Sequence, residues 1–152
     1  MDFRQLAWGE IIATLGGILL AVSLFLNWYS LGDRFARLNG CRGPHSSCTG
    51  WAALTILRFL LLVGALAPVI LAIILRGHAL SWPRGELTAV IALTALTFTI
   101  YRGVIDKPGS PSGEISVSYG WWVALLGGLL ILVGSIWRSR ESSARRKPPG
   151  VL

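Results

Sequence analysis

The sequence predicts an all-α membrane protein, a bundle of four transmembrane helices with both termini in the cytoplasm. Three observations support this fold class. Hydrophobic residues make up 53% of the 152 residues and charged residues 14%, whereas ordinary soluble domains carry about 25% charged residues. Four long apolar stretches fill most of the chain, and basic residues lie at their ends and in the C-terminal tail. We therefore predict a single transmembrane domain over residues 1–137, with no separate soluble domain.

The four predicted spans are residues 8–29, 51–75, 85–102 and 119–137. A bilayer core about 30 Å thick needs about 20 apolar residues of helix, and the third span is slightly shorter than that. We expect the first span to be retained in the protein, because no small-residue cleavage site follows its apolar run. Trp and Tyr stand near most of the predicted span ends, where membrane proteins concentrate these residues.

The distribution of Lys and Arg predicts the orientation in the membrane. Four spans place both termini on one side, which carries eight basic residues against five on the other. The positive-inside rule therefore favours cytoplasmic termini and a location in the cell membrane. The tail, residues 138–152, mixes basic residues with Ser and Pro, and we expect it to be disordered and attracted to anionic lipid headgroups. The net charge of +7 does not indicate nucleic-acid binding, because no basic stripe is interleaved with aromatic residues.

Cys41 and Cys48 are the only cysteines of the chain, and both lie in the first outer loop. The oxidising compartment and the Gly43-Pro44 turn between them favour a disulfide. Two alternatives use the same residues. A metal site that included His45 would have only three ligands, and a redox pair would normally have the closer spacing of a Cys-x-x-Cys motif.

The second outer loop contains a strand pattern. Ile115, Val117 and Tyr119 alternate with serine, which is typical of a half-buried β-strand. We predict that this strand pairs with the first outer loop. Since an isolated hairpin is marginal in water, we expect the disulfide to hold the resulting cap.

Two stripes of small residues predict close helix packing, because small side chains let helix backbones approach one another in lipid. The stripes are Ala13, Gly17 and Ala21 in the first span, and Gly120, Ala124 and Gly128 in the last. The first and last spans are therefore expected to contact each other, either within one chain or across a dimer.

Arg58 is the deepest charge in the predicted spans. It lies seven residues beyond Trp51, which places it about 10 Å below the outer interface at the rise of a helix. Three interpretations remain open for a charge at this depth. It can reach the headgroups by snorkelling, bind an anion in a cavity open to the outside, or pair with an outer-loop acid: Asp33, Asp106 or Glu114.

Glu10 and Asn27 complete the candidate intramembrane polar site. Glu10 lies two residues beyond Trp8, where a carboxylate stabilises the start of a helix; a transport role is the alternative. Asn27 is a mild polar residue that can form hydrogen bonds within or between helices.

Three segments carry a family resemblance: Ser23–Tyr29, Gly50-Trp51 and Tyr119–Gly128. They resemble a group of small bacterial four-span membrane proteins, mostly from high-GC Gram-positive lineages. The resemblance covers nearly the whole chain and implies the fold but no activity. A weaker, architectural similarity is to claudin-like proteins, which also have a Trp after the first span and a cysteine pair in the first outer loop. The Gly-Leu-Trp that precedes the cysteines in claudins is missing here, so the similarity implies only a bundle with a stapled outer cap.

No catalytic set, phosphate-binding glycine loop or His-Glu metal motif is present in the sequence. We therefore predict no enzymatic activity, no cofactor and no metal. The predicted function is that of a structural or accessory protein of the cell membrane that associates with itself or with a larger complex. The alternative is a small transporter, channel or lipid-binding protein with a cavity near Arg58. A polar cavity between the helices would favour the alternative, and small-residue stripes exposed on an apolar bundle would favour the first function.

Overall fold

The computed structural model describes residues 8–32, 36–38, 40–41, 47–74 and 84–144. Within these ranges the chain is mostly helical, as predicted, with a few short strands. The helices are α1 (Trp8–Ser23), α2 (Gly50–Ala53), α3 (Leu57–Ile74), α4 (Arg84–Ile100) and α5 (Tyr119–Ala144). The strands are β1 (Asn27–Leu31), β2 (Arg37–Leu38), β3 (Ser47–Thr49), β4 (Gly109–Ser110) and β5 (Ile115–Val117). A π-helical turn, Tyr101–Ile105, continues α4, and a 3-10 turn, Ser112–Glu114, precedes β5.

Two helical segments of the described chain are long and apolar enough to cross a membrane, Gly85–Ile105 and Tyr119–Arg140. Two further apolar helices, Trp8–Ser23 and Leu57–Leu71, are shorter than the roughly 20 residues that a span needs. Each predicted span therefore contains an apolar helix, and two of these helices reach the length of a span by themselves.

The first predicted span is helical only as far as Ser23, and its last part is a strand. The Ser23 hydroxyl donates a hydrogen bond to the Leu20 carbonyl (2.6 Å), and the Ser23 carbonyl accepts one from Trp28 Nε1 (2.7 Å). The chain then enters β1, so Asn27 lies in a strand and not in a helix. Trp28 and Tyr29 are fully buried, so the hydrophobicity that suggested a continuing span belongs to the core between helices and sheet.

The second predicted span is interrupted after α2, and α3 begins only at Leu57. Two backbone hydrogen bonds bridge the interruption, from Leu54 N to Gly50 O (3.0 Å) and from Arg58 N to Leu54 O (3.2 Å). Arg58 is therefore the second residue of a new helix. The depth of 10 Å, which assumed one continuous helix from Trp51, does not apply to it.

The last helix continues beyond the predicted span. It reaches Ala144, so residues 138–144 are helical where disorder was expected. Residues 145–152 of the predicted tail lie outside the described residues.

The helices α1 and α5 run antiparallel, with their backbones in close contact. A Cβ atom on Gly9 would lie 2.7 Å from the Gly134 carbonyl oxygen, and one on Gly16 would lie 2.6 Å from the Gly127 oxygen. Such distances are below any normal contact, so a larger residue would force the two backbones apart. The predicted contact between the first and last helices is thus present, within a single chain.

The small residues of the predicted stripes face different neighbours. Ala13 lies against Gly134 of α5, Gly17 against the Ala65 carbonyl of α3, and Gly128 against Leu96 of α4. Ala21 packs on the core, Ala124 is fully buried, and Gly120 lies against β1. A stripe of strict four-residue spacing rotates around a helix that has 3.6 residues per turn. It therefore serves several neighbours instead of one.

The strands cover one end of the helices, which we call the sheet end. The opposite end, where α1 begins and α5 ends, is the terminal end. The strand order is β3-β1-β5, with antiparallel pairing, and a second small sheet joins β2 to β4.

The strand predicted from Ile115 is confirmed as β5. It pairs with β1 in the register Tyr29 to Val117, Ser30 to Ser116 and Leu31 to Ile115. Ser30 and Leu31 belong to the first outer loop, so the predicted pairing is present, and it extends to Tyr29 at the end of the predicted first span.

The predicted disulfide between Cys41 and Cys48 is confirmed. Cys48 is the central residue of β3 and is buried, and it pairs with Tyr29 of β1. The disulfide therefore ties the segment after β2 to the edge strand of the larger sheet.

Trp28 occupies the junction between the sheet and the helices. Its indole lies between two glycines: a Cβ on Gly50 would be 2.6 Å from the indole nitrogen, and one on Gly120 would be 2.8 Å from its Cδ1. Gly50 begins α2, and Gly120 is the second residue of α5. Both helices can therefore start close to β1 only because neither glycine has a side chain.

Backbone hydrogen bonds complete this junction. The Leu24 and Leu26 carbonyls, just beyond α1, accept from the Trp51 and Gly50 amides at 2.7 and 3.1 Å. The Trp28 carbonyl accepts from Ser118 N at 2.7 Å, just before α5. Backbone N–H and C=O groups that have no partner within their own helix thus form hydrogen bonds with each other.

We expect Gly50→Ala to lower the free energy of unfolding by about 1–3 kcal/mol, the usual effect of overpacking a filled site. Trp28 cannot move aside, because Gly120 and the hydrogen bond to Ser23 hold its indole in place. Gly113→Ala is the matched control, since a Cβ on Gly113 would meet no atom within 4 Å. Denaturant titration followed by tryptophan fluorescence measures both variants. Equal stability of the two would contradict the proposed role of Gly50.

Reduction of the disulfide should expose β3 selectively. We expect amide hydrogen exchange at residues 47–49 to become fast, while the β1–β5 pairing stays protected because it does not depend on the cysteines. Loss of a short closed loop corresponds to about 2–3 kcal/mol of stability. A Cys41→Ser and Cys48→Ser double variant should reproduce the effect of reduction. Fast exchange in β1 and β5 of the oxidised protein would contradict a stable cap.

Candidate functional site

Arg58 lies at the sheet end, against aromatic rings. Its Nη1 donates a hydrogen bond to the Trp51 carbonyl at 3.1 Å. Its Cζ is 4.9 Å from the centre of the Trp51 ring and 4.8 Å from that of Phe59. Phe25 stacks on Trp51, with ring centres 5.4 Å apart. We call these four residues, Phe25, Trp51, Arg58 and Phe59, the arginine cage.

The acids proposed as partners of Arg58 are not paired with it among the described residues. Asp106 forms an ion pair with Arg102. Glu114 is exposed in the 3-10 turn, and Asp33 lies outside the described residues. Arg58 Nε is buried and has no hydrogen-bond partner in the described ranges. Among the described residues, Arg58 thus contacts aromatic faces and one carbonyl.

Glu10 lies at the terminal end and forms an ion pair with Arg138 of α5. The two side chains are 2.6 Å apart, with 15% of Glu10 and 17% of Arg138 exposed. Glu10 is in the first turn of α1, so the pair joins the beginning of one helix to the last part of its antiparallel neighbour.

Sequence reasoning missed Arg138 because it was assigned to the tail. A signal for its position was present in the spacing of α5. The residues of α5 that contact α1 recur at intervals of four and three, from Gly127 through Ile131 and Gly134 to Arg138. Continuing that pattern past the apolar run would have placed Arg138 opposite the start of α1.

A small cavity lies beside this ion pair. Glu10, Arg138, Thr88, Ser135 and Pro68 are among the residues that line it. Water-sized space inside it amounts to about 10 Å³, the lower limit for a single water molecule. This cavity lies at the terminal end, and it is too small for a substrate.

The end of α4 is held by two aromatic donors. Trp121 Nε1 donates to the Thr99 carbonyl at 2.8 Å, and the Tyr29 hydroxyl donates to the Arg102 carbonyl at 2.9 Å. Gly103 in the π-helical turn leaves room for the Trp121 ring. The sequence had marked these aromatics only as interface residues.

The candidate polar residues do not form one site. Glu10 lies at the terminal end, whereas Asn27 in β1 and Arg58 in α3 lie at the sheet end. Asn27 pairs with Thr49 across the sheet. The three residues therefore belong to an ion pair, a strand and the arginine cage.

No protein-family model, curated protein or solved structure matches this chain. Within the described ranges, no three His, Cys, Asp or Glu side chains come together as a possible metal site. Of the metal ligands considered from the sequence, Cys41 and Cys48 are joined in the disulfide, and His45 lies outside the described residues.

We expect Glu10→Gln to destabilise the protein by roughly 1–3 kcal/mol, because it removes the carboxylate that faces the half-buried Arg138. The double variant Glu10→Leu with Arg138→Leu should recover much of that loss, since an apolar pair has no charge to desolvate. Unfolding free energies of Glu10→Leu, Arg138→Leu and the double variant give the coupling energy. Arg140→Gln is the control, because Arg140 is exposed on the same helix and should change stability by less than about 0.5 kcal/mol. Additive effects at Glu10 and Arg138 would contradict the pairing.

Proposed function

We propose that this chain is an integral protein of the cell membrane with four spans and cytoplasmic termini, and that its role is structural or accessory. One observation carries the proposal. Large apolar side chains, each between 39% and 68% exposed, cover the outward faces of the four long helices. They are Leu15, Ile18 and Val22 in α1; Phe59, Val63, Leu66, Ile70 and Ile73 in α3; Val90, Leu93 and Phe98 in α4; and Leu126, Leu129, Val133 and Ile136 in α5. Apolar exposure on this scale favours a lipid environment over water.

Helix lengths support the same proposal. The segment Tyr119–Arg140 has 22 residues and is about 33 Å long at the rise of a helix, close to the roughly 30 Å of a bilayer core. With 16 residues, α1 is only about 24 Å long. Strand β1 continues from it, and its backbone is paired on both sides by β3 and β5. Non-helical backbone is tolerated near membrane depth when protein groups satisfy its hydrogen bonds in this way.

Exposed threonines of α4 are also compatible with lipid. The hydroxyls of Thr94 and Thr97 donate to the carbonyls of Val90 and Leu93, each at 2.9 Å. A hydroxyl that is bonded within its own helix does not need water as a partner. The outward face of α4 can therefore contact lipid despite its polar residues.

The accessory role is favoured over transport by the interior of the protein. The buried side chains of the described residues are mostly apolar, with a few small hydroxyl side chains among them, and the cavity beside Glu10 has room for about one water molecule. The small-residue stripes, however, are used for packing within the chain and are not exposed. Association with itself or with a larger membrane complex would therefore use the exposed apolar faces. The resemblance to small bacterial four-span proteins remains part of this proposal.

Site-directed labelling tests the proposed topology. A Gly113→Cys variant places a thiol at the sheet end, and an Arg140→Cys variant places one at the terminal end; both positions are exposed. The native cysteines can stay, because the disulfide makes them unreactive towards maleimide. In intact cells a membrane-impermeant maleimide should label the first variant only, and the second should react after permeabilisation.

Two results would contradict the proposal. Equal labelling of both variants in intact cells would rule out a spanning topology, as would release of the protein from membranes by alkaline carbonate. Ion flux through liposomes that contain the purified protein, abolished by Glu10→Gln, would favour the transport alternative instead.

A further inference from the structure

We propose that the arginine cage binds the phosphate of a membrane phospholipid at the sheet end of α3. The inference rests on the proposed membrane location, and it adds a specific ligand to it. Arg58 supplies the positive charge, the rings of Trp51 and Phe59 hold the guanidinium in place, and the exposed apolar residues beside it offer a surface for the acyl chains.

The charge of Arg58 is not balanced by the described protein. A guanidinium has five N–H donors, and the described residues provide one acceptor, the Trp51 carbonyl. The two described ion pairs, Arg102–Asp106 and Arg138–Glu10, involve other arginines. Among the described residues, an anionic oxygen is therefore the partner that Arg58 lacks, and a planar guanidinium matches a phosphate particularly well.

The position of Arg58 in α3 also favours an anionic ligand. It is the second residue of an 18-residue helix whose first turn contains no acidic residue. The start of a helix carries a partial positive charge, so a cation there is unfavourable and an anion is favourable. A phosphate beside Arg58 would be attracted by the guanidinium and by the helix start together.

The surroundings of Arg58 suit a lipid better than a free anion. Phe25, Ile56, Phe59 and Leu60 are 62%, 83%, 52% and 44% exposed, and all are apolar. A soluble anion would gain nothing from these side chains. A phospholipid would place its phosphate on Arg58 and its acyl chains along Phe59, Leu60 and Val63 on the outward face of α3.

The rings also fix the guanidinium before any ligand arrives. Arg58 Cζ lies within 5 Å of two ring centres, a distance at which cation–π attraction is significant. A side chain that is already held loses less conformational entropy on binding. Snorkelling alone, by contrast, requires neither the rings nor a specific lipid.

Native mass spectrometry of the purified full-length protein in detergent micelles tests the proposal. Phosphatidylglycerol is titrated into the wild type, Arg58→Gln, Arg58→Lys and Arg37→Gln. Loss of a hydrogen-bonded charge should weaken binding about tenfold or more in Arg58→Gln. Arg37→Gln is the matched control, because Arg37 is an exposed arginine at the same end, in β2, and its replacement should leave binding unchanged.

Two further ligands show whether the site recognises a phospholipid, its acyl chains alone or a free phosphate. Diacylglycerol has the same acyl chains without phosphate and should bind the wild type at least tenfold more weakly than phosphatidylglycerol does. Inorganic phosphate at millimolar concentration should not displace the lipid. Displacement by inorganic phosphate would overturn the lipid assignment in favour of a soluble anion site.

Arg58→Lys covers the case in which Arg58→Gln does not fold. It keeps the charge but loses the planar group that stacks on Trp51, so its affinity should lie below that of the wild type. If Arg58→Gln folds, equal binding by it and the wild type overturns the inference. If it does not fold, equal binding by Arg58→Lys and the wild type has the same effect. A wild type that binds the lipid but fails the labelling test would instead count against the proposed topology.

Discussion

The burial of Trp28 between two glycines is the constraint on which the rest of the structure depends. Its indole fills the space between Gly50 and Gly120 and donates to the Ser23 carbonyl. It therefore ends α1, begins β1 and sets where α2 and α5 start. A smaller residue at this position would leave a cavity at the point where three helices and the sheet meet. A side chain on either glycine would push a helix start away from β1.

Close backbone contact extends this constraint along the molecule. With glycine at positions 9, 16, 127 and 134, α1 and α5 touch over most of α1, and the ion pair Glu10–Arg138 fixes their far ends. The disulfide and the strand pairing hold the sheet end. The contact between α1 and α5 is thus fixed at both ends, by the ion pair at the terminal end and by Trp28 at the sheet end.

Two half-buried arginines of the described helices, Arg138 and Arg58, are held in different ways. Arg138 faces a carboxylate, so its charge is neutralised inside the protein. Arg58 faces aromatic rings and one carbonyl, an arrangement that holds a cation without neutralising it. The first arrangement stabilises the fold. The second leaves a charge for a ligand, which is why the proposed lipid site lies at Arg58 and not in the cavity beside Glu10.

The sequence by itself determined the helical character of the four apolar stretches, the disulfide and strand β5. Each follows from local composition or short spacing: apolar runs, two cysteines in one loop, and alternation of Ile115 and Val117 with serine. Only the tertiary structure decided that α1 ends at Ser23, that α3 starts afresh before Arg58, and that Arg138 meets Glu10. These features depend on contacts between residues far apart in the chain. Trp28 is equally apolar in a helix or a strand, and the strand is fixed by its pairing with β3 and β5 and by the two glycines that make room for the indole.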